Sequence, residues 1–416
     1  MEPTPKSMRL QLALLGRTNV GKSSFLNMIA NQDVAMTSQH PGTTTDIVEK
    51  PIELLPIGPV TILDTAGVDD RSDLGEKRIE RTMRILDRAE LIVLLAEPDI
   101  WTEHEEMIAA EAEKRNIPLV IVVNKIDISK PSNDFVSFIN SKSKYCLFVS
   151  STKTVEREKH LFEFKRAVQE ITRTGLQQNV PLLGDIVPPG GVAVLIVPID
   201  LQAPKGRLIL PQVQAIRDLL DNDAIALVVK DKEYSFALQQ LRRKPDLVVC
   251  DSQVVMKMVA DTPPDVKCTT FSILFARFKG DLAEEVRGAA TIDSLRPGDR
   301  ILIAEACSHH ALEDDIGRVK IPRWLRQYLG DNVEIDFYQG RDYPENLGDY
   351  KLVIHCGGCM LTRHEKLVRI QKATAAGVPI TNYGLTISAI QGVLERALSP
   401  FPDALEAWHE TKNRNK

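Results

Sequence analysis

The chain has 416 residues, 43% of them hydrophobic and 26% charged, with a formal net charge of −5. This is an ordinary globular composition, with material for about two to four domains. The mild acidity argues against a nucleic-acid-binding surface along the whole chain. No run reaches ~18 uninterrupted apolar residues, so no membrane-spanning helix is expected. Residues Met1 to Met8 are polar and proline-containing, without the layout of a signal peptide, so the expected location is cytoplasmic. In such a reducing compartment Cys146, Cys250, Cys268, Cys307, Cys356 and Cys359 read as core, metal or redox residues rather than a disulfide set.

In chain order, residues 9–15 read as a strand and 22–30 as a helix. Strand-like runs follow at 60–63, 91–95, 118–123 and 145–149, with charged helical stretches at 75–88 and 103–115. Such alternation implies a parallel sheet covered on both faces. Glycines and prolines cluster over 176–192 as in a linker. Beyond it come strands at 192–199, 224–230 and 246–250 and helices at 211–220, 233–242 and 252–260. A third block, from about 270, has strands at 301–306, 333–338 and 351–355 and a helix at 362–376. Three α/β domains with largely parallel sheets are therefore expected, over 1–175, 176–268 and 269–416. In the middle block Val192–Ile199 reads as a strand, and the sequence does not distinguish an internal strand from an edge that pairs with a second subunit. The Pro204-Lys205-Gly206 turn reads as structural.

Gly16-Arg17-Thr18-Asn19-Val20-Gly21-Lys22-Ser23 fits G-x-x-x-x-G-K-[ST] between a strand and a helix. Backbone N–H groups of such a loop close around phosphate oxygens, and the helix N-terminus adds positive potential. Lys22 would reach the β- and γ-phosphates, Ser23 would ligate Mg²⁺, and Ser24 follows within reach of the nucleotide. Asp64-Thr65-Ala66-Gly67 follows the run Val60–Leu63. There Asp64 is placed to hold Mg²⁺ through water, and the Gly67 N–H to contact the γ-phosphate. Asn124-Lys125-Ile126-Asp127 resembles the NKxD element of GTPases, whose Asp accepts from guanine N1 and N2. Ser150-Ser151-Thr152 resembles the fifth GTPase element, with Ser151 where Ala is usual. Each segment alone reads equally as a polar loop; their joint order at strand ends argues for a P-loop GTPase domain. GTP and Mg²⁺ are the implied cofactors.

Pro41-Gly42-Thr43-Thr44-Thr45-Asp46 resembles the switch loop of TrmE–Era–EngA-type GTPases, which makes Thr44 the Mg²⁺-sensing threonine. Val68 stands where Ras-like proteins carry a water-orienting Gln, and a hydrophobic side chain cannot do that work. The related GTPases use K⁺ with a P-loop Asn as one ligand, and Asn19 occupies that place. The resemblance thus implies K⁺-stimulated hydrolysis; the plainer alternative is that Asn19 stabilises the loop.

Cys307-Ser308-His309 and His355-Cys356-Gly357-Gly358-Cys359 each end a strand-like run. Ligands of parallel sheets bind beyond the carboxyl ends of strands, so the two groups converge if their strands are neighbours. Three thiolates suit an iron–sulfur cluster with one exchangeable site. Zinc on Cys₃His and a CxxC redox pair compete, and spacing does not separate them. Cys146, Cys250 and Cys268 read as buried free thiols.

A TrmE-like GTPase followed by CxH…HCxxC resembles the GTPase maturation factors of [FeFe]-hydrogenase, the HydF family, over nearly the whole chain. That likeness implies a middle dimerisation domain, hence a homodimer. It also implies a [4Fe–4S] cluster on Cys307, Cys356 and Cys359. The cluster's fourth site is open or weakly held, with His309, His355 and Asp314 of Glu313-Asp314-Asp315 as candidate ligands or hydrogen-bonding neighbours. It further implies a scaffold that takes a transient diiron precursor from radical-SAM maturases and delivers it to the [FeFe]-hydrogenase apoprotein, with no nucleic acid and no membrane among its partners. The competing reading is a tRNA-modification or ribosome-assembly GTPase with a zinc-stabilised C-terminal domain.

Overall fold

The computed structural model describes residues 5–30, 47–64, 75–152, 154–173, 181–199, 208–306, 315–330, 333–340 and 342–414. The chain divides into two compact units, Met1–Asn179 and Val180–Lys416.

The first unit is built on a six-stranded sheet. Its strands are β1 (Leu10–Gly16), β2 (Val48–Leu54), β3 (Gly58–Asp64), β4 (Leu91–Ala96), β5 (Leu119–Val123) and β6 (Tyr145–Phe148). They lie in the order β2-β3-β1-β4-β5-β6, and all pair in parallel except β2 with β3. Strands buried on both faces read as unbroken apolar runs, and β4 (Leu-Ile-Val-Leu-Leu-Ala) and β5 (Leu-Val-Ile-Val-Val) show this. Alternate residues of β1 feed opposite layers. Leu12 and Leu14 pack with Phe25 and Val168, whereas Ala13 and Leu15 pack with Ile85 and Ile108. The sequence reading missed β2, whose Val-Glu-Lys-Pro-Ile-Glu-Leu pattern carries a proline; the strand sits at the sheet edge, where a missing N–H is tolerated.

The second unit holds two four-stranded sheets, both wholly parallel. One contains β7 (Val192–Ile196), β8 (Ile225–Val229), β9 (Leu247–Cys250) and β10 (Lys267–Thr270), in the order β10-β9-β7-β8. The other contains β11 (Arg300–Glu305), β12 (Glu334–Gln339), β13 (Leu352–His355) and β14 (Ile380–Asn382), in the order β12-β11-β13-β14. The expected break after residue 268 falls inside β10. A single apolar core joins the sheets, with Val194 and Val248 of the first and Ile303 and Ile354 of the second in one cluster. The helices Phe271–Lys279 and Tyr383–Ile390 contribute Leu274, Phe275, Leu385 and Ile387 to it.

Two features go beyond the sequence reading. The run beginning at Val192 is not an edge strand: β7 is hydrogen-bonded on both sides, by β8 and β9, because its Val-Ala-Val-Leu-Ile pattern is buried throughout. Among the described residues the edges of this sheet are β8 and β10, and β8 leaves Ile225 and Val228 54% and 41% exposed. The short strands β10 and β14 also went unrecognised. The latter underlies the helix Leu282–Ala290, where a Cβ on Gly288 would meet the Ile380 carbonyl oxygen at 2.0 Å. That close approach needs glycine, and it presses the helix onto the sheet beside the Cys356 loop.

Candidate functional site

The described nucleotide elements stand at carboxyl ends of the first sheet. The phosphate loop leaves β1, which lies between β3 and β4, where the chain order reverses and ligands of such sheets bind. Asp64 closes β3, Asn124 follows β5, and Ser150 and Ser151 follow β6. The loop backbone demands its glycines. Gly16 and Gly21 have φ of +146° and +97°. A Cβ on Gly16 would lie 2.6 Å from the Leu95 carbonyl oxygen, and one on Gly21 2.3 Å from Asn124 Nδ2. Asn19 also has positive φ, +65°, and is exposed at the loop tip. Lys22 opens the helix Lys22–Ala30 and donates through Nζ to the carbonyls of Gly16 and Arg17, at 2.8 and 2.9 Å. Its ammonium is thereby centred in the loop it is expected to serve. Ser23 and Ser24 follow in the first helical turn.

Two ties absent from the sequence reading bind this loop to the base-recognition loops. Asn124, 2% exposed, donates through Nδ2 to the Val20 carbonyl at 2.9 Å. Its Oδ1 accepts from the Ser151 N–H at 3.1 Å and hydroxyl at 2.9 Å. One amide thus connects the phosphate, NKxD and fifth-element loops. The second tie is Glu97, at the end of β4, which pairs with Lys125 and, at 3.5 Å, with Arg17. Arg17 also reaches the buried Glu105 at 2.7 Å. Burial raises the Glu105 pKa, but hydrogen bonds from Thr102 and Arg17 outweigh it and hold the carboxyl below its ordinary value. Asp127 stands exposed, its carboxylate accessible to a base. Asp64 is fully buried, with Lys50 of β2 3.3 Å away. Thr44 and Gly67 lie outside the described residues.

In the second unit β11 and β13 are neighbours, with Ala304 opposite His355. The Ala306 N–H donates to Cys356 Sγ at 3.3 Å, and Cys356 N–H to the Ala304 carbonyl at 3.0 Å. The residue before Cys307 therefore touches the Cys356 thiol. Gly358 takes φ +64° to turn the Cys356–Cys359 loop, and the Leu361 N–H closes it on the Gly358 carbonyl at 3.0 Å. Cys307, His309 and Asp314 lie outside the described residues. Among the described ones no three His, Cys, Asp or Glu side chains converge to hold a metal ion. The donor set nonetheless fits an iron–sulfur group: two half-buried thiols with two glycines between them, one already accepting a backbone N–H, and a third cysteine that follows that donor in the sequence. Cys250 and Cys268 are buried in β9 and β10, as expected of core thiols.

Behind the loop lies a buried charge assembly that the sequence did not disclose. Glu285, fully buried on the helix Leu282–Ala290, has Lys366 Nζ 2.9 Å and His355 Nε2 3.2 Å away and accepts from Asn382 Nδ2 at 2.5 Å. Burial alone would raise its pKa. The Lys366 charge first, then His355 and Asn382, outweigh that and bring it to about 2. Burial lowers the pKa of His355, with Glu285 pulling against it. Lys366 lays its stem along Gly358, whose Cβ would be 3.7 Å from Lys366 Cδ. A glutamate in an amphipathic Leu-Ala-Glu-Glu-Val-Arg pattern reads as a surface residue; only the packing on β14 shows otherwise.

Among the described residues no helix is long and apolar enough to cross a membrane. Residues 11–125 match the 50S ribosome-binding GTPase family. Residues 182–280 match the hydrogen maturase F dimerization domain, and 283–400 the hydrogen maturase F tetramerization domain. Curated relatives include the tRNA modification GTPase MnmE of Prochlorococcus marinus (strain NATL1A), 46% identical over 29% of this chain and 26% of its own length. MnmE of Picosynechococcus is 40% identical over 29% and 27%. The chain thus spans between a quarter and a third of these relatives. Solved structures with similarity include a probable GTP-binding protein engB (TM-score 0.30, 19% identity, 38% of this chain, 99% of that one). The G domain of the T. maritima FeoB iron transporter is another (TM-score 0.27, 20% identity, 38% and 98%).

Proposed function

This chain belongs to the hydrogen maturase F family, with a TrmE/Era-like GTPase domain, and from that premise we propose that it is a GTP-hydrolysing metallocluster scaffold. It accepts a diiron precursor from radical-SAM maturases and passes it to the [FeFe]-hydrogenase apoprotein. The observation that supports the cluster half of this reading is the Ala306 N–H on Cys356 Sγ at 3.3 Å, a contact made by the residue that precedes Cys307 in the sequence. Cys307, Cys356 and Cys359 would hold a [4Fe–4S] cluster, which supplies an iron site open to an exchangeable ligand. His355, fixed against Glu285, supports the loop from behind, which leaves His309 and Asp314 as the candidate exchangeable ligands.

On the nucleotide side, Lys22 and the loop N–H groups neutralise phosphate charge, Ser23, Thr44 and Asp64 serve Mg²⁺, and Asp127 selects guanine. Asn19, exposed at the loop tip, is the proposed K⁺ ligand, with K⁺ supplying the positive charge an arginine finger gives elsewhere. The exposed edge of β8 is the proposed dimer contact, and the cytoplasm the proposed location.

Anaerobic purification and reconstitution, followed by iron and sulfide analysis and EPR, tests the scaffold. Iron and sulfide near four per chain, lost in Cys307→Ser, Cys356→Ser and Cys359→Ser while GTP turnover persists, is expected. Stoichiometric zinc without iron would sink it. Equal GTP turnover in KCl and NaCl would remove the K⁺ role.

A further inference from the structure

The last residue of the helix Phe271–Lys279 is a lysine only 2% exposed. A cation at a helix C-terminus ordinarily serves its own last carbonyls. Here another side chain does that. Arg363 Nη1 donates to the carbonyls of Phe278 at 2.8 Å and Gly280 at 3.3 Å. Lys279 Nζ instead crosses to the Cys356–Cys359 loop and donates to the Cys359 carbonyl at 3.0 Å and the Leu361 carbonyl at 2.8 Å. Lys366, buried on the helix Arg363–Ala375, pairs with the Glu285 carboxylate at 2.9 Å.

We infer that Lys279 is a positioning residue for the Cys356–Cys359 thiol pair and the buried positive charge that sets the electrostatics of the anionic group held there. The inference rests on the cluster reading above. Two arguments support it. Geometrically, the ammonium pins the backbone on both sides of Met360, so the direction of Cys359 depends on it. Electrostatically, an ammonium buried on the Cys359 carbonyl at 3.0 Å places a positive charge beside the thiol pair, where the low local dielectric strengthens its effect. A cation buried beside a redox group also favours its reduced, more negative state. Removing that cation therefore moves the midpoint potential down.

The test compares wild-type chain with Lys279→Met, Lys279→Gln and Lys279→Arg, each reconstituted anaerobically with ferrous iron and sulfide. Glutamine keeps donors without charge; arginine keeps the charge. Readouts are iron and sulfide per chain, midpoint potential from EPR-monitored titration, iron release to a chelator, and the melting temperature of the cluster-free protein. Expected are a midpoint more negative in Lys279→Met and Lys279→Gln, one near wild type in Lys279→Arg, and iron release several-fold faster in Lys279→Met. Lys279→Gln should melt like wild type when cluster-free. Unchanged midpoint and iron release in both neutral variants would overturn the inference. So would failure of both neutral variants to fold, since Lys279 would then be a brace only. Failure of the cluster reading shows separately, as wild-type chain that binds no iron, and takes this inference with it.

Discussion

Asn124 Nδ2 donates to the Val20 carbonyl across 2.9 Å with both residues buried, so the base-recognition loop and the phosphate loop are held by one amide. Replacing Asn124 with Ala leaves the Val20 carbonyl and the Ser151 N–H without their partner. Buried groups stranded in this way cost about 1–3 kcal/mol, which is roughly a tenfold to hundredfold loss of affinity. GTP and GDP should weaken together, because the tie concerns loop geometry and not the γ-phosphate. Titration with fluorescent GDP and a GTP analogue measures this; selective loss of one nucleotide would contradict it.

Gly21→Ala is expected to remove nucleotide binding altogether. Its Cβ would stand 2.3 Å from Asn124 Nδ2, at a φ of +97° that L side chains rarely adopt. Circular dichroism should show a folded chain that neither binds nor hydrolyses GTP. Near-normal turnover would mean that the loop relaxes more easily than its contacts indicate.

Asp127→Asn addresses base choice. The carboxylate accepts two guanine donors, and bonds to a charged group are worth about 1.5–3 kcal/mol each. The amide should therefore weaken GTP by roughly a hundredfold or more. It should also favour xanthosine nucleotides, whose base offers an acceptor where guanine offers the exocyclic donor. Competition between GTP and XTP for the variant decides the matter; an unchanged preference would remove Asp127 from base recognition.

Glu285→Gln removes the partner of a fully buried lysine. Breaking a buried ion pair from one side costs about 3–5 kcal/mol. The cluster-free chain should show this as lower resistance to urea in the second unit. Glu285→Gln combined with Lys366→Met should recover much of the loss, since no charge is then stranded. If the double variant is as weak as the sum of the single ones, the pair is not coupled.

Glu105 gives the first unit an acid dependence. Hydrogen bonds from Thr102 and Arg17 outweigh the effect of burial and hold its carboxyl below the ordinary glutamate value in the folded chain. Its contribution is thus fully present above that value and is lost as pH falls through the folded one. Glu105→Gln should cost more stability at neutral pH than near pH 3, measured by urea unfolding followed through the first unit. A penalty independent of pH would assign the effect to packing.

What the sequence disclosed follows from where the information is local. Strands β4 and β5 are unbroken apolar runs in a doubly covered sheet, so they are legible almost to the residue. The phosphate loop is legible because its glycines answer to backbone contacts that few other residues survive. Asn124 was visible as part of a motif, but its tie to Val20, 104 positions away, was not. Glu285 and Lys279 look like solvent-facing residues of amphipathic helices; only the third dimension puts one on His355 and the other on the Cys359 carbonyl. Edge and centre of a sheet differ by neighbours, which the run Val-Ala-Val-Leu-Ile of β7 does not by itself encode.

The core shared by the two four-stranded sheets bears on how this chain can be cut. Ending it near residue 280 would keep β7 to β10 but leave Leu274 and Phe275 of the helix Phe271–Lys279 facing water where Leu385 and Ile387 had been. The Gly384 backbone lies so close to Ser272 that a Cβ there would stand 2.3 Å from its side chain, an approach no substitute segment meets by chance. The two stretches that match separate oligomerisation modules are therefore halves of one folding unit with a common core. Swapping one of them between relatives should yield insoluble protein, while exchanging both together preserves the fold.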